Sequence, residues 1–345
     1  AKMAQGSICP DFRRAVDILK TPRRPCGRAP ARSTTMGRFT DSWWRQFDTP
    51  TDGFVDPHGF VNRLPLRLES TEVIVHGLVD AKKMWADFPG EPYHPILVGG
   101  KAVVTIMFNN FLDTDCGGEY FETWYNSYVT PKDKPQVELP ADGGPMAALL
   151  HEGSISYLQR VVCSDTPQNP GAALKAIGSG KGLWGFPKHP VPGSIDLRYQ
   201  EEGGKRCRFT FDAEHRGKTV VSLGVRLPEA DEGAMEIPLE VQTAPDANIG
   251  GPVSEGMQVR YGTAVKCTQF VKPWDASVDS ITFGDDPHYG LKIASWDFVP
   301  VLKVHSPDFK ICAFKPVNWI SGADAAAAAQ EHERRIAAGE SKGVL

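Results

Sequence analysis

The residues whose types and spacing best suit chemistry lie in Gly178–Gly193, which reads GSGKGLWGFPKHPVPG. Prolines stand one residue before and two residues after Lys188, and they restrict the backbone around it. Trp184 and Phe186 precede the lysine and offer it an apolar surrounding. Such a setting can desolvate an amine, and a neutral amine attacks a ketone to form an imine. The alternative is a surface-turn lysine beside an aromatic packing patch.

Activation of Lys188 requires a large change in its pKa. At its ordinary pKa of about 10.4, less than about one-thousandth of a lysine is neutral at pH 7. Lowering that pKa by about 3 units costs the ammonium form roughly 4 kcal/mol. His189 follows the lysine and adds a positive neighbour only when it is protonated, near or below pH 6.5 or so. We therefore expect desolvation to contribute more than His189.

The segment GKGLWGFPKHP resembles the active-site segment of the acetoacetate decarboxylase family, roughly Gly-Arg-Glu-x-x-(Gly/Ala)-(Phe/Tyr)-Pro-Lys-Lys. The matching residues are Gly180, Leu183, Gly185, Phe186, Pro187 and Lys188. The resemblance implies that Lys188 is a Schiff-base lysine. Tyr120-Phe121-Glu122 is similar to the family's Tyr-x-Glu, which implies that Glu122 lies at the active site.

The chain departs from the family pattern at several positions. Lys181-Gly182 replaces the Arg-Glu pair, and His189 replaces the second lysine. A further family carboxylate falls at Thr105, and Arg67 is the nearest basic residue to the family's substrate-binding arginine. The resemblance therefore implies a divergent, longer member with a different and larger substrate, which fits secondary metabolism.

This resemblance implies a lyase that decarboxylates a β-keto acid through an imine on Lys188. Glu122 is expected to assist proton transfer, and Trp184, Phe186, His189, Tyr120 and Arg67 to contact the substrate. No cofactor and no metal are expected. The same imine also supports aldolase, dehydratase or cyclase chemistry on a larger ketone. A third hypothesis is a binding protein that holds an apolar ligand without turnover, which the aromatic segment Glu119–Val129 would suit.

Composition and motifs exclude several other classes. The chain has 345 residues, with 38 Lys and Arg against 42 Asp and Glu, so its net charge of -4 gives no general attraction to nucleic acid or anionic lipid. Gly180–Gly185 matches GxGxxG, but prolines follow where a dinucleotide fold would begin a helix. The seven cysteines form no CxxC pair, which fits reduced thiols in an intracellular protein. We expect a cytoplasmic protein with no membrane contact.

The elements that must position these residues are mainly strands. Glu72–Leu78 and Ala102–Phe108 are rich in β-branched residues, and Glu119–Val129 alternates with aromatic residues on both faces. Val79–Phe88 predicts a short helix between the first two strands. Further strands are predicted at the following ranges: Ser154–Cys163, Ser194–Tyr199, Arg206–Asp212, Lys218–Arg226, Val259–Val271, Leu291–His305 and Lys310–Phe314.

Together with the resemblance, this pattern predicts a β-rich (α+β) fold built on a closed or nearly closed antiparallel β-barrel with short peripheral helices. The barrel domain is expected to span residues 65–318. Residues 1–64 are expected to form an N-terminal arm, in which Thr40–Phe47 is a short helix that docks its tryptophans on the body or on a neighbouring subunit. Residues 319–345 are expected to form a helical tail over Asp324–Ala338. A homo-oligomer is expected.

Overall fold

Strands make up most of the computed structural model. The structure describes residues 39–47, 52–55, 61–64, 66–88, 93–114, 119–140, 155–165, 194–215, 217–230, 233–250, 258–287 and 289–319. All of them belong to one unit, Phe39–Leu345. The segment Gly178–Gly193 and the expected helix Asp324–Ala338 lie outside the described residues.

Sixteen strands and four short helices occur in these ranges. The helices are α1 (Ala81–Ala86), α2 (Gly290–Ser295) and 3-10 turns at Ser42–Phe47 and Pro228–Ala230. The strands are β1 (Asp52–Val55), β2 (Val61–Leu64), β3 (Leu66–Val79), β4 (Tyr93–Pro95), β5 (Leu97–Val98), β6 (Lys101–Thr114), β7 (Tyr120–Pro131), β8 (Glu138–Leu139), β9 (Ser156–Ser164), β10 (Ser194–Glu202), β11 (Lys205–His215), β12 (Lys218–Arg226), β13 (Met235–Gly250), β14 (Gln258–Pro273), β15 (Ser280–Phe283) and β16 (Val299–Trp319).

The strands form three sheets. The largest has the order β4-β7-β9-β13-β14-β16-β3-β6-β5-β8, and β6 also pairs with β7. A second sheet has the order β10-β11-β12-β15, and β1 pairs with β2. Neighbouring strands are antiparallel in the described chain except for β9 with β13 and β5 with β8. The predicted strand-rich fold with few helices is confirmed, while closure into a barrel stays a prediction.

The main hydrophobic core fills the space between the two larger sheets. Val73 and Val75 of β3 and Phe108 of β6 are fully buried there, together with Phe209 and Phe211 of β11. Because side chains alternate along a strand, the opposite face of β3 and β6 carries the residues between these positions. That opposite face holds the candidate site.

The helix predicted over Val79–Phe88 is present as α1. The Asp80 carboxylate accepts hydrogen bonds from the backbone N–H groups of Lys82 and Lys83, both at 2.9 Å, and thus caps the helix. Met84 is fully buried in the core.

The predicted helix near Trp43 and Trp44 is also present, as the 3-10 turn Ser42–Phe47. Its two tryptophans and Phe47 are buried in one cluster with Ala264 of β14 and Cys312 of β16. Trp44 Nε1 donates a hydrogen bond to Glu69 Oε1 at 2.5 Å. These tryptophans therefore dock on strands of the same chain.

Two strand predictions need correction. Leu291–His305 was expected to be one strand, but Gly290–Ser295 is helical and β16 begins at Val299. Ile293 and Trp296 are three residues apart and both fully buried, so helical spacing brings them to one side. The sequence pattern also missed β13, Met235–Gly250, which contains two prolines and pairs with β14 through register shifts after Val241 and Ala244.

Candidate functional site

A row of buried polar residues crosses five adjacent strands on the face opposite the main core. Each residue lies directly opposite the next in strand register, in the order Ser306, Glu72, Asn109, Glu122 and Ser164. All five are at most 4% exposed. Residues opposite each other in register share a face, so their side chains lie on the same side of the sheet. We call these five residues the polar row.

Aromatic side chains flank Glu122 on this face. Tyr120 and Trp124 lie two residues before and after it on β7, so they share its side of the strand. Phe111 of β6 stacks on Tyr120, with ring centroids 4.4 Å apart, and lies 6.3 Å from the ring of Trp124. The Glu122 carboxyl group therefore lies beside a set of aromatic rings.

Asp165 holds the end of the strand pair that carries Glu122. The pairing of β7 with β9 ends at Glu122 and Ser164. Phe121 N–H donates to Asp165 Oδ1 at 2.9 Å, and the Asp165 N–H donates to the Phe121 carbonyl at 3.1 Å. Burial raises the pKa of Asp165 above its usual value, although the Phe121 N–H lowers it. These two hydrogen bonds between Phe121 and Asp165 fix the backbone position of β7 next to Glu122.

Glu72 is the second carboxyl group of the row. It lies 1% exposed on β3, with Ser70 Oγ donating to its Oε1 at 3.4 Å. Burial raises its pKa to about 8, and the Ser70 hydrogen bond offsets this only in part. The carboxyl group is therefore mostly protonated at neutral pH.

A second set of polar residues lies next to the row on the same face. Thr105 Oγ1 is 2.9 Å from His76 Nδ1 and donates to the Tyr128 hydroxyl at 3.2 Å. Burial lowers the pKa of His76 to about 4, so the imidazole is neutral at physiological pH. Thr105 lies opposite Asn126 in register, four residues before Asn109 on β6. The position expected to correspond to a family carboxylate thus holds a hydrogen-bonded threonine.

The structure brings together some of the predicted site residues and separates others. Tyr120 and Glu122 share one face, as expected from their spacing. Arg67 and Glu72 are separated by an odd number of positions on β3, so their side chains lie on opposite faces of the sheet. The Arg67 guanidinium stacks over the ring of Phe39 at 4.3 Å. The remaining predicted residues, Lys188, Trp184, Phe186 and His189, lie outside the described residues.

Sequence reasoning missed Glu72 and Asn109. In the segment ESTEVIVHGLV, Glu72, Ile74 and His76 stand at every second position and so share one face of the strand. Two polar residues on the same face of an apolar strand indicate polar groups that are buried there. Asn109 ends an apolar run on β6. Only the register of β3, β6 and β7 shows that the three residues meet.

The described ranges hold no group of three or more His, Cys, Asp and Glu residues arranged to bind a metal ion. None of their helices is long and apolar enough to cross a membrane. A cleft of about 300 Å³ lies near the β10–β11 turn, lined by Lys205, Arg206, Glu229 and Phe270. Glu229 is 3.1 Å from His305, which shares the core-facing side of β16 and is thus on the far side from the polar row.

The fold was compared with known proteins. No family model and no curated protein matches the chain. Among solved structures, the chain is similar to the enduracididine biosynthesis enzyme MppR complexed with pyruvate, at 12% identity and TM-score 0.47, covering 74% of this chain and 90% of that one. It is also similar to an acetoacetate decarboxylase-like enzyme from Sphingomonas wittichii RW1, at 13% identity and TM-score 0.44, covering 74% and 92%. A third is acetoacetate decarboxylase from Legionella pneumophila, at 12% identity and TM-score 0.45, covering 74% and 88%. Two of these three neighbours are named as acetoacetate decarboxylase or as an enzyme like it.

Proposed function

We propose that this chain is a lyase that decarboxylates a β-keto acid through a Schiff base on Lys188, with Glu122 assisting proton transfer. The observation that carries the proposal is the placement of Glu122, which lies 4% exposed on a row of buried polar groups beside Tyr120 and Trp124. A buried carboxyl group beside aromatic rings is suited to exchange protons with a substrate in a site from which water is excluded. We propose that the sheet closes around this face and that Lys188 faces Glu122 inside it.

The proposed cycle uses only groups of the protein. The neutral Lys188 amine attacks the ketone carbon, and loss of one water gives a protonated imine. The carbon–carbon bond to the carboxylate breaks and carbon dioxide leaves. The electron pair of the broken bond moves into the protonated imine and forms an enamine. The enamine carbon takes up a proton, and water then hydrolyses the imine to release the ketone and free Lys188. Glu122 delivers or removes protons in the imine-forming and hydrolysis steps.

One observation favours a second candidate, imine chemistry without decarboxylation. A β-keto acid carries a carboxylate, and the described face presents two carboxyl groups, Glu72 and Glu122. Arg67, the expected substrate anchor, lies on the other face. A ketone that undergoes aldol, dehydration or cyclisation chemistry through the same imine avoids placing a third carboxyl group there.

Borohydride trapping tests the proposal. Acetone should form an imine with Lys188, and reduction should leave a stable secondary amine that peptide mass spectrometry locates. Lys188→Ala should lose the adduct, and Lys181→Ala, which removes another lysine of the same segment, should retain it. Carbon dioxide release from acetoacetate then separates the two candidates. An enzyme without any adduct at Lys188 would contradict both and favour a binding protein.

We further propose that the protein acts as a cytoplasmic homo-oligomer with a small-molecule keto acid or ketone as substrate. The buried arrangement of the polar row supports a small ligand, since a macromolecule could not reach residues at most 4% exposed. Light scattering at micromolar concentration tests the oligomer. A monomer under those conditions would contradict that part of the proposal.

A further inference from the structure

Several buried polar side chains on one face have atoms without hydrogen-bond partners in the described part of the chain. They are Glu72 through Oε2, Asn109 through both Oδ1 and Nδ2, and Asn126 through Oδ1, and the hydroxyl of Ser306, opposite Glu72 in the polar row, is a fourth group without a partner. Glu72 and Asn109 lie directly opposite each other on β3 and β6. Asn126 lies on β7, beside Thr105. Burying such groups without partners costs stability, so partners from a ligand or from ordered water are expected.

The unmatched atoms are mostly acceptors. Glu72 Oε2, Asn109 Oδ1 and Asn126 Oδ1 accept hydrogen bonds when Glu72 is ionised, Asn109 Nδ2 donates, and the Ser306 hydroxyl can do either. A group with several N–H donors therefore fits this set better than a group that only accepts. Glu72, Asn109 and Asn126 are at most 3% exposed, and hydrogen bonds are stronger in such buried surroundings than in water.

The described cations near these strands are engaged elsewhere. Lys303 of β16 is buried on the opposite face, where its Nζ contacts Asp279 Oδ2 at 2.7 Å. Arg67 stacks on Phe39 on that same opposite face. His76 shares the face of Glu72 but is neutral because burial lowers its pKa to about 4. Glu72 is thus a buried carboxyl group without a protein cation among the described residues.

We propose that Glu72 and Asn109 form a substrate subsite for a cationic nitrogen group, an ammonium or a guanidinium. This rests on the proposed function, because the subsite then selects the ketone that reaches Glu122. Asn109 lies between Glu72 and Glu122, and each strand step is about 4.8 Å. The substrate would therefore be a keto compound whose cationic group lies a few bonds from the reacting carbon. Asn126 Oδ1 lies on the same face as a further acceptor.

Charge balance requires Glu72 to lose its proton when the cation binds. The titratable groups around it are His76 on its own strand, Glu122 on β7 and Cys267 on β14. Burial raises the pKa of Cys267 to about 12, so that thiol stays protonated. With a Glu72 pKa of about 8, about nine-tenths of a proton should be released per cation bound at pH 7.

Calorimetric titration of the full chain with methylguanidinium and methylammonium tests the subsite. Affinity should rise close to tenfold per pH unit between about pH 6 and 8 and then level off. Buffers of different ionisation enthalpy should report the released proton. Glu72→Gln should weaken binding about 10- to 100-fold and abolish the proton release, and Asn109→Ala should weaken it about five- to tenfold. Comparing the two cations identifies which nitrogen group the subsite takes.

The controls separate this subsite from other sites. Glu229→Gln removes the carboxylate of the distant cleft and should leave binding unchanged. N-methylurea, which is neutral, should bind at least tenfold more weakly than methylguanidinium. Absence of binding, equal binding by the neutral probe, or an unchanged affinity in Glu72→Gln would overturn the subsite. Acetone trapping at Lys188 is measured on the same variants, so a failed subsite with an intact adduct is distinct from a failed imine mechanism.

Discussion

Glu72 and Glu122 lie on the two sides of Asn109, each directly opposite it in the register of its own strand pair. The two carboxyl groups are thus two strands apart on one buried face, with an amide between them. Their surroundings differ, because Tyr120 and Trp124 flank Glu122 on its own strand, while Ser70 and His76 accompany Glu72 on β3. Two carboxyl groups in different environments can serve different protonation states, one exchanging protons and one binding.

Glu122→Gln should reduce the rate of decarboxylation of a β-keto acid by about 10²- to 10⁴-fold, because the amide cannot transfer a proton. The side chain keeps its shape, so the fold should remain. Steady-state kinetics with acetoacetate measure the effect, and Glu236→Gln, an exposed position on β13, is the matched control. A Glu122→Gln enzyme with full activity would remove Glu122 from the mechanism.

Glu72 should make the wild-type protein less stable as pH rises from about 4.5 to 8. Its pKa is about 8 in the folded chain and near 4.5 when exposed, so the folded state holds a proton that the unfolded state has released. Stability therefore falls with increasing pH over this window, by on the order of 5 kcal/mol in total. Glu72→Gln removes the effect.

The measurement is the free energy of unfolding by urea at several pH values for both proteins. The difference between Glu72→Gln and wild type should be smallest near pH 5 and should grow toward pH 8 in favour of the variant. His76 and Asp165 titrate in both proteins and cancel in the difference. A difference that stays constant with pH would mean that Glu72 is ionised in the folded protein throughout.

The local elements could largely be predicted from the sequence, whereas the assembled site could not. β-Branched residues predicted the strands around Val73 and Ile106, and Asp80 with the following residues predicted α1. The resemblance proposed Tyr120 and Glu122 as site residues, and their spacing placed them on one face of β7. Glu72 and Asn109 are 37 positions apart in the chain, and only the pairing of β3 with β6 brings them together. Register between distant strands depends on the whole sheet and is not encoded in a short pattern.

Arg67 is a predicted site residue that the structure places away from the polar row. The family resemblance gave Arg67 as the basic residue nearest to the substrate-binding arginine, but alternation along β3 places it on the face opposite Glu72. There it covers Phe39 from a segment 28 residues earlier. Alternation along a strand shows which side chains share a face. It does not show which of the two faces lies at the site until the packing of the strand is known.

The buried ion pair between Lys303 and Asp279 should be needed to hold β16 in place. Lys303 Nζ lies 2.8 and 2.7 Å from the two carboxylate oxygens, and both side chains are at most 1% exposed. Asp279 also accepts backbone hydrogen bonds from Arg226 and Asp275. Asp279→Asn leaves a buried unpaired ammonium and should cost about 3–5 kcal/mol of unfolding free energy.

The second variant of this pair is Lys303→Met, which keeps much of the side-chain length without the charge. The double variant Asp279→Asn, Lys303→Met should recover part of the stability lost by Asp279→Asn alone, because no unpaired charge remains buried. Urea unfolding at pH 7 measures all four proteins of the cycle. Additive losses in the double variant would show that the two groups do not depend on each other.

The last prediction concerns how Lys188 becomes reactive. We propose that Trp184, Phe186 and the flanking prolines desolvate the amine, and that His189 is secondary because an imidazole is positive only in mildly acidic solution and loses its charge more readily in a dry site. His189→Ala should therefore move the pH midpoint of lysine reactivity by less than about one unit, which corresponds to roughly 1.4 kcal/mol. Trp184→Gln brings a polar group into the surroundings of the amine and should raise the midpoint by more. The midpoint is read from the pH dependence of acylation at Lys188 by peptide mass spectrometry, with Lys181 of the same segment as the internal reference. A larger rise in His189→Ala than in Trp184→Gln would show that a neighbouring charge, rather than desolvation, activates the lysine.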